Sequence, residues 1–280
     1  TLWYYLEMIN KDLKIKKFRK PFPYVVIDNF FSKNFYHNLE RFFPNSSEFT
    51  ENNIGRMHGD TSYGDVLYDN LLNKSSEYKE LHDWVYSENF MNFFIEFFSN
   101  EIAEEKDLIK NPMSFKKISK PVEIGKVFNI KNFQDNNNQP YLYSRLDLGF
   151  GKKEYGISTG GKGPHIDNPQ RLISILIYMG GYENIEGGEH RIFEKKNDKL
   201  EVFDKIKPIK NRAIASLQNN VAFHDVNPVQ DINGQRNAFY LAISSNTKIW
   251  KSCLNDEINI KFNKNRLEKN IFKKIIERVF

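Results

Sequence analysis

The sequence predicts a mainly β chain with flanking helices, built as a sandwich, barrel or jelly roll. Three observations carry this. After Lys120 come short runs rich in β-branched and aromatic residues, among them RLISILIYM, RAIASL and RNAFYLAIS. The turn-forming stretches DNNNQ, STGGKG, GGYENIEGG and DINGQ separate such runs, and many short strands at this spacing close into a barrel or pack as two sheets. Before Lys120, apolar residues recur every three or four positions, which is helical spacing.

Taken in order, residues 2–13 are expected to form a short helix, with Leu2, Leu6, Ile9 and Leu13 on one side. Pro21 and Pro23 break the chain, and YVVIDNFF (24–31) reads as a strand. Ser32 is a good N-cap for a helix over KNFYHNLERFF, which Pro44 closes. Residues 45–76 are polar and read as loop. Glu77 to Ala103 is helical, with a break near Ser87. There Phe90, Phe93, Phe94, Phe97 and Phe98 read as a core-facing stripe rather than a cofactor box. The expected strands are VEIGKVFNI, PYLYSRLDLGF, RLISILIYM, HRIFEKK, RAIASL, NVAFHDV and RNAFYLAIS. Leu267, Ile271 and Ile275 mark an amphipathic helix in the tail. The expected organisation is a single domain over 1–280: mainly helical support with an N-terminal strand (1–119), a β core (120–252) and a helical tail (253–280).

Composition narrows the chemistry. The chain has 280 residues and 15% aromatics, which excludes disorder as the main state. No apolar run approaches the roughly 20 residues of a membrane span, and LWYYLEMI is too short for a leader or anchor. Part of the net charge of +5 sits in KIKKFRK (14–20) and in the tail from Lys261 to Arg278, and in a Lys-rich chain it reads as a solvated face rather than a nucleic-acid or membrane partner. A lone cysteine, Cys253, makes no internal disulfide and points to a reducing, cytoplasmic setting. It also excludes cysteine-cluster zinc and iron–sulfur centres, so any metal must be held by His, Asp or Glu.

GPHIDNP supplies such ligands. His165 and Asp167 are two apart, so in an extended segment both point the same way. His224, in VAFHDVNPV on a later strand, is the best third ligand. Two histidines and one carboxylate suit Fe(II) and leave coordination positions open. A second such pair, His58 and Asp60 in MHGD, lies in a loop region. His37 and His82 read as structural. His190 and Glu189 are adjacent, face opposite ways and are poor partners for one metal. Arg236 follows His224 by twelve residues, and an Asn-Gly turn between them is expected to bring it back near the metal. It shares a strand face with Ala238, Tyr240, Ala242 and Ser244. A buried arginine there needs an anion, and a carboxylate fits best.

In their order along residues 21–250, PFPYVVIDNFF, HIDNPQRLISILIYM, GGEHRIF and FHDVNPV followed by Arg236 resemble the Fe(II)- and 2-oxoglutarate-dependent dioxygenases, in their prolyl-hydroxylase-like branch. The resemblance implies a double-stranded β-helix, a distorted, cupin-like jelly roll. It implies Fe(II) on His165, Asp167 and His224, and the distal carboxylate of 2-oxoglutarate on Arg236, with Tyr178 hydrogen-bonding that carboxylate. The implied reaction is hydroxylation of an unactivated C–H bond by dioxygen, coupled to decarboxylation of 2-oxoglutarate to succinate, with ascorbate as a reductant. Asp167 fills the site that halide takes in related halogenases, so hydroxylation rather than chlorination is implied. Peptidyl proline is the implied substrate; an amino acid or another metabolite would use the same chemistry. Two departures stand out. The gap from His224 to Arg236 is long, which implies a longer turn at Gln230–Gly234, and Asn211-Arg212 replaces the glycine usual before the strand leading to the distal histidine. Arg145, Asp147, Tyr143 and Arg171 are candidates to face the cavity, or Arg145 and Asp147 to form a structural ion pair. The loops at 48–65 and 149–164 are candidate lids. Two other classes remain open at this stage: a non-catalytic or isomerase-type metal-binding cupin-like protein, which has no need of Arg236, and a structural or carbohydrate-binding jelly roll.

Overall fold

The computed structural model of the chain describes residues 7–49, 60–121, 139–151 and 163–251. Its larger sheet has eight strands. Along its path lie β1 (Lys14–Phe18), β2 (Tyr24–Asp28), β9 (Arg212–Leu217), β6 (Arg171–Gly187), β11 (Val229–Ser245), β5 (Tyr141–Gly151) and β3 (Asp60–Ser62), with β4 (Lys116–Ile118) added in parallel to β5. A second sheet carries β10 (His224–Val226), β7 (His190–Lys196) and β8 (Lys199–Ile206) in that order. The fold is mainly β with flanking helices, a distorted jelly roll of the double-stranded β-helix kind.

Strand alternation divides the interior in two. Ile173, Ile175 and Ile177 of β6 and Phe239, Leu241 and Ile243 of β11 join the larger core with the helices α1 (Lys33–Arg41), α2 (Val66–Lys74), α3 (Ser76–Val85), α4 (Glu88–Glu96) and α5 (Ser99–Glu104). Leu176, Tyr178 and Ala238 point the opposite way, into a smaller cluster with Ile192 and Ile206 of the second sheet. The functional candidates lie in that inter-sheet space. The Phe stripe is core: Phe90 and Phe94 are fully buried, and Phe30, Trp84, Phe93 and Phe94 pack ring against ring. The break at Ser87 is a cap, its hydroxyl accepting from the Phe90 amide. Ser32 precedes α1 as expected, but its hydroxyl donates to the Glu7 carbonyl instead of capping the helix.

Several expectations are corrected. Residues 7–13 are turn and extended chain, not helix. The segment 14–18 instead forms β1, whose lysines lie on an exposed edge strand; charge there opposes pairing with another chain. Residues 60–76 hold β3 and α2 rather than loop. β8 was not expected; it returns from β7 through Asn197 and Asp198, both at positive φ (48° and 60°), as a tight two-residue hairpin turn requires. GGYENIEGG and DINGQ do not turn. Residues 180–187 run inside β6 and 231–235 inside β11, and the two strands pair through several register shifts from Gly187–Val229 onward. Glycines at positive φ, Gly180, Gly181, Gly187 and Gly234, let the strands bulge there. Near Asn227 and Pro228 the chain passes from β10 of the small sheet to β11 of the large one while staying antiparallel to residues 187–192. Asn211 does the work of the expected glycine. It adopts φ 59°, and its side chain bonds both the amide (2.8 Å) and the carbonyl (2.9 Å) of Phe31. VEIGKVFNI (122–130), the tail with Cys253, and most of both candidate lids lie outside the described residues.

His82, expected to be structural, shares a hydrogen bond of 3.0 Å between its Nδ1 and the Tyr68 hydroxyl in the helical layer. Burial pushes its pKa down, against smaller pulls from Asp83 and Asp69. The folded state therefore favours the neutral ring. Its contribution is full above the unfolded value of about 6.5 and is lost as pH falls through the lower folded value. Urea midpoints measured from pH 7.5 down to 5 should decline less steeply in His82→Gln than in the parent; equal slopes would contradict this.

Candidate metal centre and buried arginine

His165 and His224 are brought together by the backbone. Each amide donates to the other's carbonyl, at 3.0 and 2.9 Å, an antiparallel pair that sets both rings on one side with centroids 4.8 Å apart. His165 Nδ1 lies 2.9 Å from the Gly163 carbonyl, and His224 Nδ1 lies 2.9 Å from the Ala222 carbonyl. A carbonyl only accepts, so each Nδ1 carries a proton and donates, which leaves each Nε2 as the nitrogen that can face a metal. This is the tautomer that second-sphere contacts enforce in histidine ligands. Asp167 completes the group: one ligand atom from each of His165, Asp167 and His224 lies within 4.8 Å of the others. β10 is held in register by a bidentate pair from Arg191 to the buried Asp225 (2.7 and 2.6 Å), next to His224.

Asp167 has two supports. The Ser174 hydroxyl of β6 donates to its Oδ2, and Arg171 Nη1 stands 3.8 Å away. Burial raises its pKa, but Arg171, the two histidines and Ser174 outweigh that and hold the carboxyl ionised, well below the usual carboxylate range. Sequence reasoning missed Ser174; its only signal was its place on the inward face of RLISILIYM. Arg171, a candidate for substrate, stands against Asp167 and Ser174 instead. Arg145 and Asp147 form the bidentate ion pair considered above, at 2.9 and 2.6 Å. Asp60 lies on β3, whereas His58 lies outside the described residues.

Arg236 is 1% exposed, near the start of the β11 stretch paired with β5. Its Nη1 donates to the Gly188 carbonyl (3.2 Å) and its Nη2 to the Tyr240 hydroxyl (3.0 Å), while its buried Nε finds no acceptor. No carboxylate pairs with it among the described residues. The glycine pair before β7 makes the room: a Cβ on Gly188 would meet Arg236 Cδ at 3.1 Å, and both Gly187 and Gly188 sit at positive φ. Tyr178 is fully buried with its ring 6.0 Å from the Arg236 guanidinium, but its hydroxyl donates to the Gly188 carbonyl at 2.9 Å. Tyr240, which the sequence placed on this face without a role, is the tyrosine that meets the guanidinium. His190 also points inward, 6% exposed, with its ring 5.4 Å from that of His224. Burial, then the neighbouring histidines, push its pKa well down, so it is neutral.

The donor set fits a divalent metal: two imidazoles presenting Nε2 and one ionised carboxylate, with the protein's ligands on one side. Such a triad within a jelly roll suits a metal-dependent enzyme that keeps coordination positions open. Residues 153–243 match the family model of the 2OG-Fe(II) oxygenase superfamily, and this segment carries all three triad residues, Tyr178 and Arg236. No curated protein matches the chain. Among solved structures, a prolyl 4-hydroxylase from Phytophthora capsici is 16% identical, with a TM-score of 0.43, covering 79% of this chain and 58% of that one. The chain thus spans little more than half of that protein's length. A prolyl hydroxylase from Trichoplax adhaerens, solved with a hypoxia inducible factor peptide fragment, is 16% identical over 79% of this chain and 83% of its own, with a TM-score of 0.37. A viral collagen prolyl hydroxylase from Paramecium Bursaria Chlorella virus-1 is 14% identical over 79% and 94%, with a TM-score of 0.38. Among the described residues no helix is long and apolar enough to cross a membrane.

Proposed function

We propose that the protein is a non-haem Fe(II)- and 2-oxoglutarate-dependent dioxygenase that hydroxylates an unactivated C–H bond. The observation that carries this is Arg236: a cation 1% exposed, with no described carboxylate partner, in the same inter-sheet space as the triad. An unpaired buried cation is costly, and a dicarboxylic 2-oxoacid is the anion that would satisfy it. The cupin-like alternative gives Arg236 nothing to bind, and a purely structural jelly roll gives the triad nothing to hold.

In this reading His165, Asp167 and His224 hold Fe(II), which with the 2-oxoacid supplies the activation of dioxygen. The chain's own residues bind and orient. Arg236 takes the distal carboxylate, with Tyr240 fixing the guanidinium and Tyr178 walling the same side and bracing the Gly188 carbonyl. Ser174 and Arg171 keep Asp167 ionised and aimed. The apolar cluster around Leu176, Ile192 and Ile214 excludes water from beneath the site. The substrate proposed first is peptidyl proline, following the branch that the sequence resembles, ahead of amino acids or other metabolites. A cytoplasmic location and a single domain over 1–280 belong to the same proposal.

The test is succinate formation by the purified protein with Fe(II), ascorbate, oxygen and 2-oxoglutarate, alone and with candidate substrates. Slow turnover alone, stimulated by a substrate that gains one oxygen atom in mass, is the expected result. No succinate across peptides, amino acids and metabolites would count against it.

A further inference from the structure

We propose that His190 is a further cosubstrate-binding residue, its imidazole N–H donating a hydrogen bond to an oxygen of the 2-oxoacid held between the triad and Arg236. This inference rests on the reading of the site as a 2-oxoacid pocket. Two features of the ring carry it. Its nitrogens are both buried, and neither has a hydrogen-bond partner among the described residues. Its place on β7 is intermediate between the two anchor points. Ile192, two residues further along, pairs with His224 across the β7–β10 ladder. Gly188, two residues back, gives its carbonyl to Tyr178 and Arg236. At a strand rise near 3.3 Å, His190 stands roughly 7 Å along the chain from each end.

Alternation turns His190 and Ile192 inward together, while Glu189 turns out and accepts from the Asn227 amide group. An apolar residue would fill this place without cost. A neutral imidazole brings one donor and one acceptor, and leaving them unmet under burial is destabilising. The ring does not belong to the metal group, which comprises His165, Asp167 and His224. A dianionic 2-oxoacid offers acceptors alone, and so takes the N–H.

A structural histidine and a ligand-binding one make opposite predictions for His190→Leu. Removing two unmet buried polar atoms should leave the metal-free protein as stable as the parent or raise its melting temperature. Titration calorimetry of the Mn(II)-loaded protein with 2-oxoglutarate should show binding weakened by roughly tenfold to a hundredfold, the range for losing a hydrogen bond to a charged group. His190→Gln, which keeps a donor, should recover part of the loss, and Mn(II) affinity should be unchanged in both. Parent-like 2-oxoglutarate affinity in His190→Leu, or equal loss in both variants, would overturn the inference, as would loss of Mn(II) binding. If Arg236→Ala loses 2-oxoglutarate while His190→Leu does not, only the role of His190 fails. If the parent itself does not bind 2-oxoglutarate, the proposed function fails with it.

Discussion

Asp167→Ala is expected to abolish succinate formation and to weaken Fe(II) binding by more than about 100-fold, beyond the loss typical for an outer-sphere partner. The substitution removes the anionic ligand that Ser174 and Arg171 hold ionised, and leaves Arg171 facing two histidines without a carboxylate between them. The backbone pair that places His165 against His224 does not involve the Asp167 side chain, so the fold should survive, as far-UV circular dichroism can check. Ser174→Ala gives a graded control. It keeps the ligand but loses the hydroxyl that orients it, so its defect should be smaller than that of Asp167→Ala. Parent-like iron affinity in Asp167→Ala would remove the carboxylate from the metal site.

Arg236→Ala should act at the other end of the cavity. Truncating one partner of a buried charge pair costs about 2–5 kcal/mol, tens- to thousands-fold in affinity. That loss should appear in 2-oxoglutarate binding alone, since Arg236 touches Gly188 and Tyr240 and none of the triad by hydrogen bond. Iron affinity should hold. Unchanged 2-oxoglutarate affinity would show that the arginine serves the fold rather than a cosubstrate.

The two ends of the site were legible in the sequence for different reasons. HxD parity is local: two residues apart on an extended chain share a face, and the structure keeps His165 and Asp167 together. The face split along β11 was equally readable, with Phe239, Leu241 and Ile243 on the helical side and Arg236, Ala238 and Tyr240 inside. What failed depended on partners distant in the chain. Gly-rich GGYENIEGG looked like a turn because its bulges make sense only beside β11, and Asn-Gly at 233–234 looked like a hairpin for the same reason. β1 was hidden by lysines that suit an edge strand and read as a solvated face. Ser174 lies seven residues from the carboxylate it supports, in a run that reads as plain sheet. His190 was set aside as a metal partner because it and Glu189 face opposite ways. That same alternation aims it into the space beside Arg236, which only the register of β7 against β10 makes visible. Asn211 is the converse case, since its left-handed backbone replaces a missing glycine in a way the tolerance of asparagine for that region allows.

The account turns on whether one metal and one 2-oxoacid share the inter-sheet site. Anaerobic addition of Fe(II) and then 2-oxoglutarate, followed by visible absorption, tests this most directly. A weak charge-transfer band that saturates at one equivalent of iron, and that Arg236→Ala fails to develop at the same 2-oxoglutarate concentration, is the predicted result. A featureless spectrum from the iron-loaded parent protein at saturating 2-oxoglutarate would contradict it.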